Sequence, residues 1–92
     1  MIVRIGEFQA AEGQGDALHQ FLISLTAYIT GSKGCISYEV LSRQDEPMQF
    51  AVIERWVSIE DHRASVEHFP QDEMQAAMSL FAAAPTGRYY QA

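Results

Sequence analysis

The segment Phe50 to Val57 constrains the fold of this chain more than any other. In an extended strand alternate side chains point to opposite faces. That places Phe50, Val52 and Trp56 with Glu54 on one side, and Ala51, Ile53 and Val57 with Arg55 on the other. Both sides are mainly apolar. An antiparallel strand covered on one face only shows a polar outer face, so this strand is expected to be covered twice. A chain of 92 residues forms a single domain (residues 1–92) with a thin core, because a unit of this size removes only roughly 60 to 65 % of its unfolded surface from water. One of the two covers is therefore expected from outside the chain.

The remaining segments supply the frame. Ile2 to Ala10 reads as a strand running into the Gly13-Gln14-Gly15 turn. Asp16 is a candidate N-cap, and Leu18, Phe21, Leu22, Leu25 and Ile29 follow at helical spacing as far as Gly31. Cys35 to Leu41 alternates Ile36, Tyr38 and Val40 with Ser37 and Glu39, the pattern of a strand buried on one face, and Arg43 to Pro47 is a turn. Ser58 with Asp61 three residues on is a capping-box signature for a short helix carrying Ile59, Val66 and Phe69, which Pro70 interrupts. Asp72 is a candidate cap for a second piece carrying Met74, Ala77, Met78 and Phe81, and Arg88 to Gln91 is a final strand.

The order strand, helix, strand, strand, helix, strand predicts an α+β, ferredoxin-like βαββαβ fold: a four-stranded antiparallel sheet with its helices on one face. That arrangement leaves the second sheet face open, and because Phe50 to Val57 is apolar on both sides, a homodimer packed sheet against sheet is predicted.

Six Lys and Arg against twelve Asp and Glu give a formal charge of −6, the opposite of a nucleic-acid or anionic-membrane footprint. The single cysteine, Cys35, excludes an internal disulfide and a cysteine-based zinc site within one chain. No apolar run approaches the roughly 20 residues that a bilayer span needs. The expectation is a cytoplasmic protein without nucleic-acid or membrane partners, and the absence of any dinucleotide, P-loop or HExxH motif predicts no cofactor and no metal.

Three histidines are the acid–base candidates. His19 falls on the polar side of the first helix, where a solvated role is expected. His62 and His68 are six residues apart, about 120° from superposition at ~100° per residue, so they do not form an i, i+4 metal pair. Each is either a helix-surface histidine or a base facing a pocket between helices and sheet. Glu54, sharing a face with Val52 and Trp56 in a strand expected to be central, needs a partner such as Arg4, Arg88 or a neighbouring subunit's Arg55, or else a raised pKa. Trp56 and Tyr38 are core or dimer-contact aromatics, or the wall of an aromatic pocket.

Taken together, Gly34-Cys35, Tyr38-Glu39, Asp45-Glu46-Pro47, Glu54-Arg55-Trp56 with Ser58 after it, and His68-Phe69 resemble the antibiotic biosynthesis monooxygenase family over nearly the whole chain. The resemblance implies a dimeric α+β barrel in which each subunit keeps a cleft between sheet and helices. It also implies oxidation of phenols or quinols by molecular oxygen without flavin, haem or metal. Carried onto this sequence, it puts Trp56 in the cleft wall, His62 toward the substrate, and His68-Phe69 near the end of the helix. Ser65 stands where many members have a second histidine, and Glu67 where a proline is usual. Haem-degrading relatives use an asparagine on the first strand and a later tryptophan; here Glu7 and no second tryptophan are found, so haem degradation is not expected.

Two functions follow as expectations. The first is a cofactor-independent monooxygenase, with His62 or His68 as base and Trp56, Tyr38, Glu54 and Phe69 around a small aromatic substrate. The second is a non-catalytic dimeric module binding a small aromatic or apolar ligand in the same cleft, and a bare dimerisation role remains open beside them.

Overall fold

A computed structural model describes residues 1–92. Strand β1 (Ile2–Gln9) lies at the middle of the sheet. It is followed by helices α1 (Gly15–Ser24) and α2 (Thr26–Thr30), the hairpin strands β2 (Cys35–Ser42) and β3 (Gln49–Trp56), helices α3 (Ile59–His68) and α4 (Gln71–Ala77), a short 3-10 turn (Met78–Leu80) and β4 (Thr86–Gln91). The sheet order is β2-β3-β1-β4, with every pairing antiparallel. This is the ferredoxin-like α+β arrangement expected from the sequence, and none of its helices is long and apolar enough to cross a membrane.

The pairing of Ile5 with Ile53, and of Arg4 with Glu54, assigns the faces. Phe50, Val52, Glu54 and Trp56 all point to the helix side and are buried. Leu18 and Leu22 of α1 close over Phe50, Val52 and Ala10 to make the core, with Phe21, Tyr38 and Val40 packed around it. On the other face Ala51, Ile53, Ile5 and Val3 remain half-buried within one chain. Leu41, Val57 and Tyr90 are exposed around them.

Several local expectations are corrected. Asp16 does not cap α1; the helix begins at Gly15 behind Gln14, and Asp16 sits in its first turn, where a carboxylate still complements the helix dipole. The helix expected to run unbroken to Gly31 divides at Leu25. Beside the break, the Ser24 hydroxyl donates to the Phe21 carbonyl (2.6 Å) and the Thr26 hydroxyl to that of Ile23 (2.7 Å), side chains competing for helix acceptors. Asp72 likewise lies inside α4, which starts after Pro70 without a side-chain cap. Ile36 is 55 % exposed rather than inward beside Tyr38, because the register of β2 slips between Cys35 and Ser37. His19 is half-buried and stacks on Phe50 at 5.3 Å, so it is not simply solvated. The Ser58 cap holds as read: its hydroxyl accepts from the Asp61 backbone N–H at 3.1 Å.

Candidate functional site

Strand register builds the site. Tyr38 opposes Glu54, Glu54 opposes Arg4, and Arg4 opposes Tyr89, so four polar or aromatic side chains form one row across all four strands. The row faces the helices, and His62 of α3 descends on it from above. Three of the eleven buried residues are polar, namely Glu54, His62 and Ser65. They lie together here, so the polar groups withdrawn from water are concentrated at one place.

The contacts are specific. His62 Nδ1 lies 2.6 Å from the Tyr89 hydroxyl, and its Nε2 lies 3.9 Å from Glu54 Oε2. The Trp56 indole N–H donates to Glu54 Oε1 at 3.2 Å. The Trp56 and Tyr89 rings both meet the imidazole edge-to-face, with centroids at 5.5 and 5.4 Å. Ser65 Oγ donates to the His62 carbonyl (2.7 Å), while the Tyr28 hydroxyl donates to the Ser65 carbonyl (2.7 Å). That chain of bonds ties the turn of α3 bearing His62 to α2.

Burial governs the protonation states. It lowers the His62 pKa to about 4, and the positive charges of Arg4 and Arg63 push the same way. His62 is therefore a neutral imidazole at pH 7, and its 3.9 Å approach to Glu54 is not an ion pair there. Burial pushes the Glu54 carboxyl above its ordinary value, opposed by the Trp56 N–H and the Arg4 charge. Burial and the Glu54 charge also push the Tyr38 phenol upward, so Tyr38 stays protonated and donates to the Leu22 carbonyl at 2.6 Å.

Over this row lies a cavity of about 660 Å³, lined by twenty residues of which fifteen are hydrophobic. Its size suits a small organic molecule, for which ~300–1,000 Å³ is usual. Glu54, His62, Tyr38 and Phe69 line it, as do the residues that sequence reasoning missed as wall, Arg4, Tyr28 and Ser65. Phe69 meets Tyr28 edge-on at 5.2 Å. Trp56 does not line the cavity: it is fully buried beneath it and acts on the site only through Glu54 and His62. His68 is also outside the lining, exposed at the end of α3, because its offset from His62 turns it off the inner face. Arg4 and Tyr89 are brought to this row by the pairing register of β1 with β3 and β4, which no local sequence pattern specifies. No group of three or more His, Cys, Asp or Glu side chains is placed to hold a metal ion.

The same fold recurs in solved structures. A Nitrosomonas europaea protein named for the antibiotic biosynthesis monooxygenases superposes with a TM-score of 0.89 at 17 % identity, covering 100 % of this chain and 98 % of that one. A Deinococcus radiodurans protein similarly named gives 0.86 at 20 % identity, covering 100 % and 92 %. SnoaB of Streptomyces nogalater, a cofactor-independent oxygenase whose structure is that of a point mutant, gives 0.84 at 13 % identity, covering 99 % and 91 %. At these identities the likeness establishes the shared fold. A search of the curated proteins gives no match. At the level of sequence, residues 1–80 match the family model described as antibiotic biosynthesis monooxygenase. That span carries β1 through the 3-10 turn, including Arg4, Glu54 and His62, and the chain accordingly belongs to the antibiotic biosynthesis monooxygenase family.

Proposed function

We propose that this protein is a cofactor-independent monooxygenase that oxidises a small phenolic or quinol-type aromatic substrate with molecular oxygen. The observation that carries the reading is the placement of His62, an uncharged imidazole at the wall of an apolar cavity with Glu54 and Tyr89 as its neighbours. SnoaB, which shares the fold, is a cofactor-independent oxygenase, and the family match points the same way.

His62 accepts the phenol proton, and Glu54 at 3.9 Å stabilises the imidazolium that forms. The electron-rich anion reduces oxygen by one electron, and the radical pair recombines into a carbon-bound peroxide. That peroxide takes the proton back from His62. Loss of the ring C–H proton with the distal oxygen then gives the quinone carbonyl and one water, so one oxygen atom of O₂ enters product and the other leaves as water. The protein contributes proton transfer, orientation and a cavity poor in water.

The working unit in this reading is a homodimer, with Ile5, Ile53, Leu41 and Tyr90 of the open sheet face covered by a second copy. Oxygen uptake by metal-stripped protein with a panel of naphthols and hydroquinones tests the activity. His62→Ala is expected to lower the rate about 100-fold or more, and His68→Ala to leave it within about twofold, as befits an exposed side chain away from the cavity. A panel member that raises the melting temperature without any oxygen uptake would instead make the protein a non-catalytic binding module for aromatic ligands.

A further inference from the structure

We infer that Arg4 is the anchor for an anionic oxygen carried by the ligand, so that this cavity takes an aromatic acid or an ionised aromatic hydroxyl rather than a neutral hydrocarbon. The inference rests on the cavity proposed above as the substrate site but not on its being catalytic.

Arg4 is the only lysine or arginine among the twenty lining residues. It enters neither of the two ion pairs of the chain and makes no side-chain hydrogen bond. Two of the five other basic residues are paired in ordinary surface fashion, Arg43 with Asp45 and Arg55 with Glu39. The Arg4 guanidinium lies over the Tyr89 ring, with the centroid 5.0 Å from Cζ. Glu54 opposes Arg4 across the β1–β3 ladder, but its carboxylate oxygens point to the Trp56 N–H and toward His62.

The seat of the guanidinium is built into the sheet. Gly6 and Gly87 face each other on β1 and β4, leaving that part of the floor bare. A Cβ at Gly87 would run into the Arg4 guanidinium itself. The charged head is thus laid over a gap in the side-chain layer, on the wall of a cavity otherwise three-quarters hydrophobic. Arg4 is half-buried, and although its charge is felt at Glu54, no protein acceptor hydrogen-bonds its guanidinium. A guanidinium presents planar donors that match a carboxylate or phenolate, and an anionic ligand oxygen would satisfy them. In a chain of net charge −6 the surrounding field does not attract anions, so the selectivity belongs to this one group.

Isothermal titration, or the fluorescence of Trp56, the only tryptophan, reads binding without requiring turnover. The probes are naphthalene-1-carboxylate, its carboxamide, and 2,4-dinitro-1-naphthol, which is ionised at neutral pH, with its methyl ether. The native protein is expected to bind the carboxylate, the naphtholate or both at least about tenfold more tightly than the matching neutral compound. Arg4→Met is expected to abolish that preference while holding carboxamide affinity within about twofold, and Arg4→Lys to keep part of it. A preference confined to the carboxylate assigns an acid-bearing substrate, and one confined to the naphtholate assigns the ionised hydroxyl. Equal affinity for charged and neutral partners in the native protein overturns the inference, and needs no variant to fold. So does a preference that survives Arg4→Met. Oxygen uptake separates the two readings: anion selectivity without turnover leaves Arg4 assigned and removes the monooxygenase, whereas turnover without selectivity does the reverse.

Discussion

His62 shows how burial sets the charge state of a titratable side chain. It is only 6 % exposed, and its pKa of about 4 stands below the ordinary 6.5. Because the folded form binds its proton less readily than the unfolded chain, this residue's contribution to stability is fully present above pH 6.5 and is lost as pH falls toward 4. In urea denaturation at pH 4.5 and 7, His62→Gln should therefore lose less stability on acidification than the native chain, by on the order of 2 kcal/mol. Glu54, with its pKa raised by the same burial, has the opposite slope and weakens folding as pH rises above its unfolded value; Glu54→Gln isolates the histidine limb. Gly87→Ala is the complementary change at this scale, since it displaces the Arg4 guanidinium while keeping its charge. It should weaken naphthalene-1-carboxylate binding with little loss of secondary structure by circular dichroism.

At the scale of elements, α3 is the part that places the site, and it is set at its N-terminus. Ser58 caps it, and Gly34 adopts a positive φ of 83° with no room for a Cβ against the Asp61 carboxylate. The Val57 N–H donates to the Gly34 carbonyl at 2.8 Å, fixing where the chain leaves β3. Ser58→Ala should cost about 1 kcal/mol in chemical denaturation. Gly34→Ala should cost more, because the strained backbone alone contributes about 1–2 kcal/mol before the collision with Asp61 is relieved. Both changes disturb contacts at the start of the helix that carries His62, so each is expected to lower oxygen uptake beyond its effect on the folded fraction. The cap was legible in the sequence, since Ser58-x-x-Asp61 is a local pattern. The division of the first helix at Leu25 was not, because it depends on hydroxyls choosing carbonyl acceptors that exist only once the helix is formed.

At the scale of the whole molecule, only eleven of 92 residues are buried in a single chain, and the open sheet face keeps Ile5 and Ile53 paired at its centre. Light scattering should give twice the 10.3 kDa chain mass, and Ile53→Glu should yield a monomer with a lower melting temperature. Retention of the dimer by that variant would place the interface elsewhere. The sequence by itself determined the element order, the two-faced apolar strand, the α3 cap and the grouping of Glu54 with Trp56 on one strand face, because each follows from periodicity or from a contact within a few residues. Only the tertiary structure decided that Arg4, Tyr38 and Tyr89 share a row with Glu54, that His62 and not His68 meets that row, and that Trp56 lies beneath the cavity instead of in its wall. Those facts depend on strand register and on the rotation of α3 over the sheet, which arise from packing between segments dozens of residues apart.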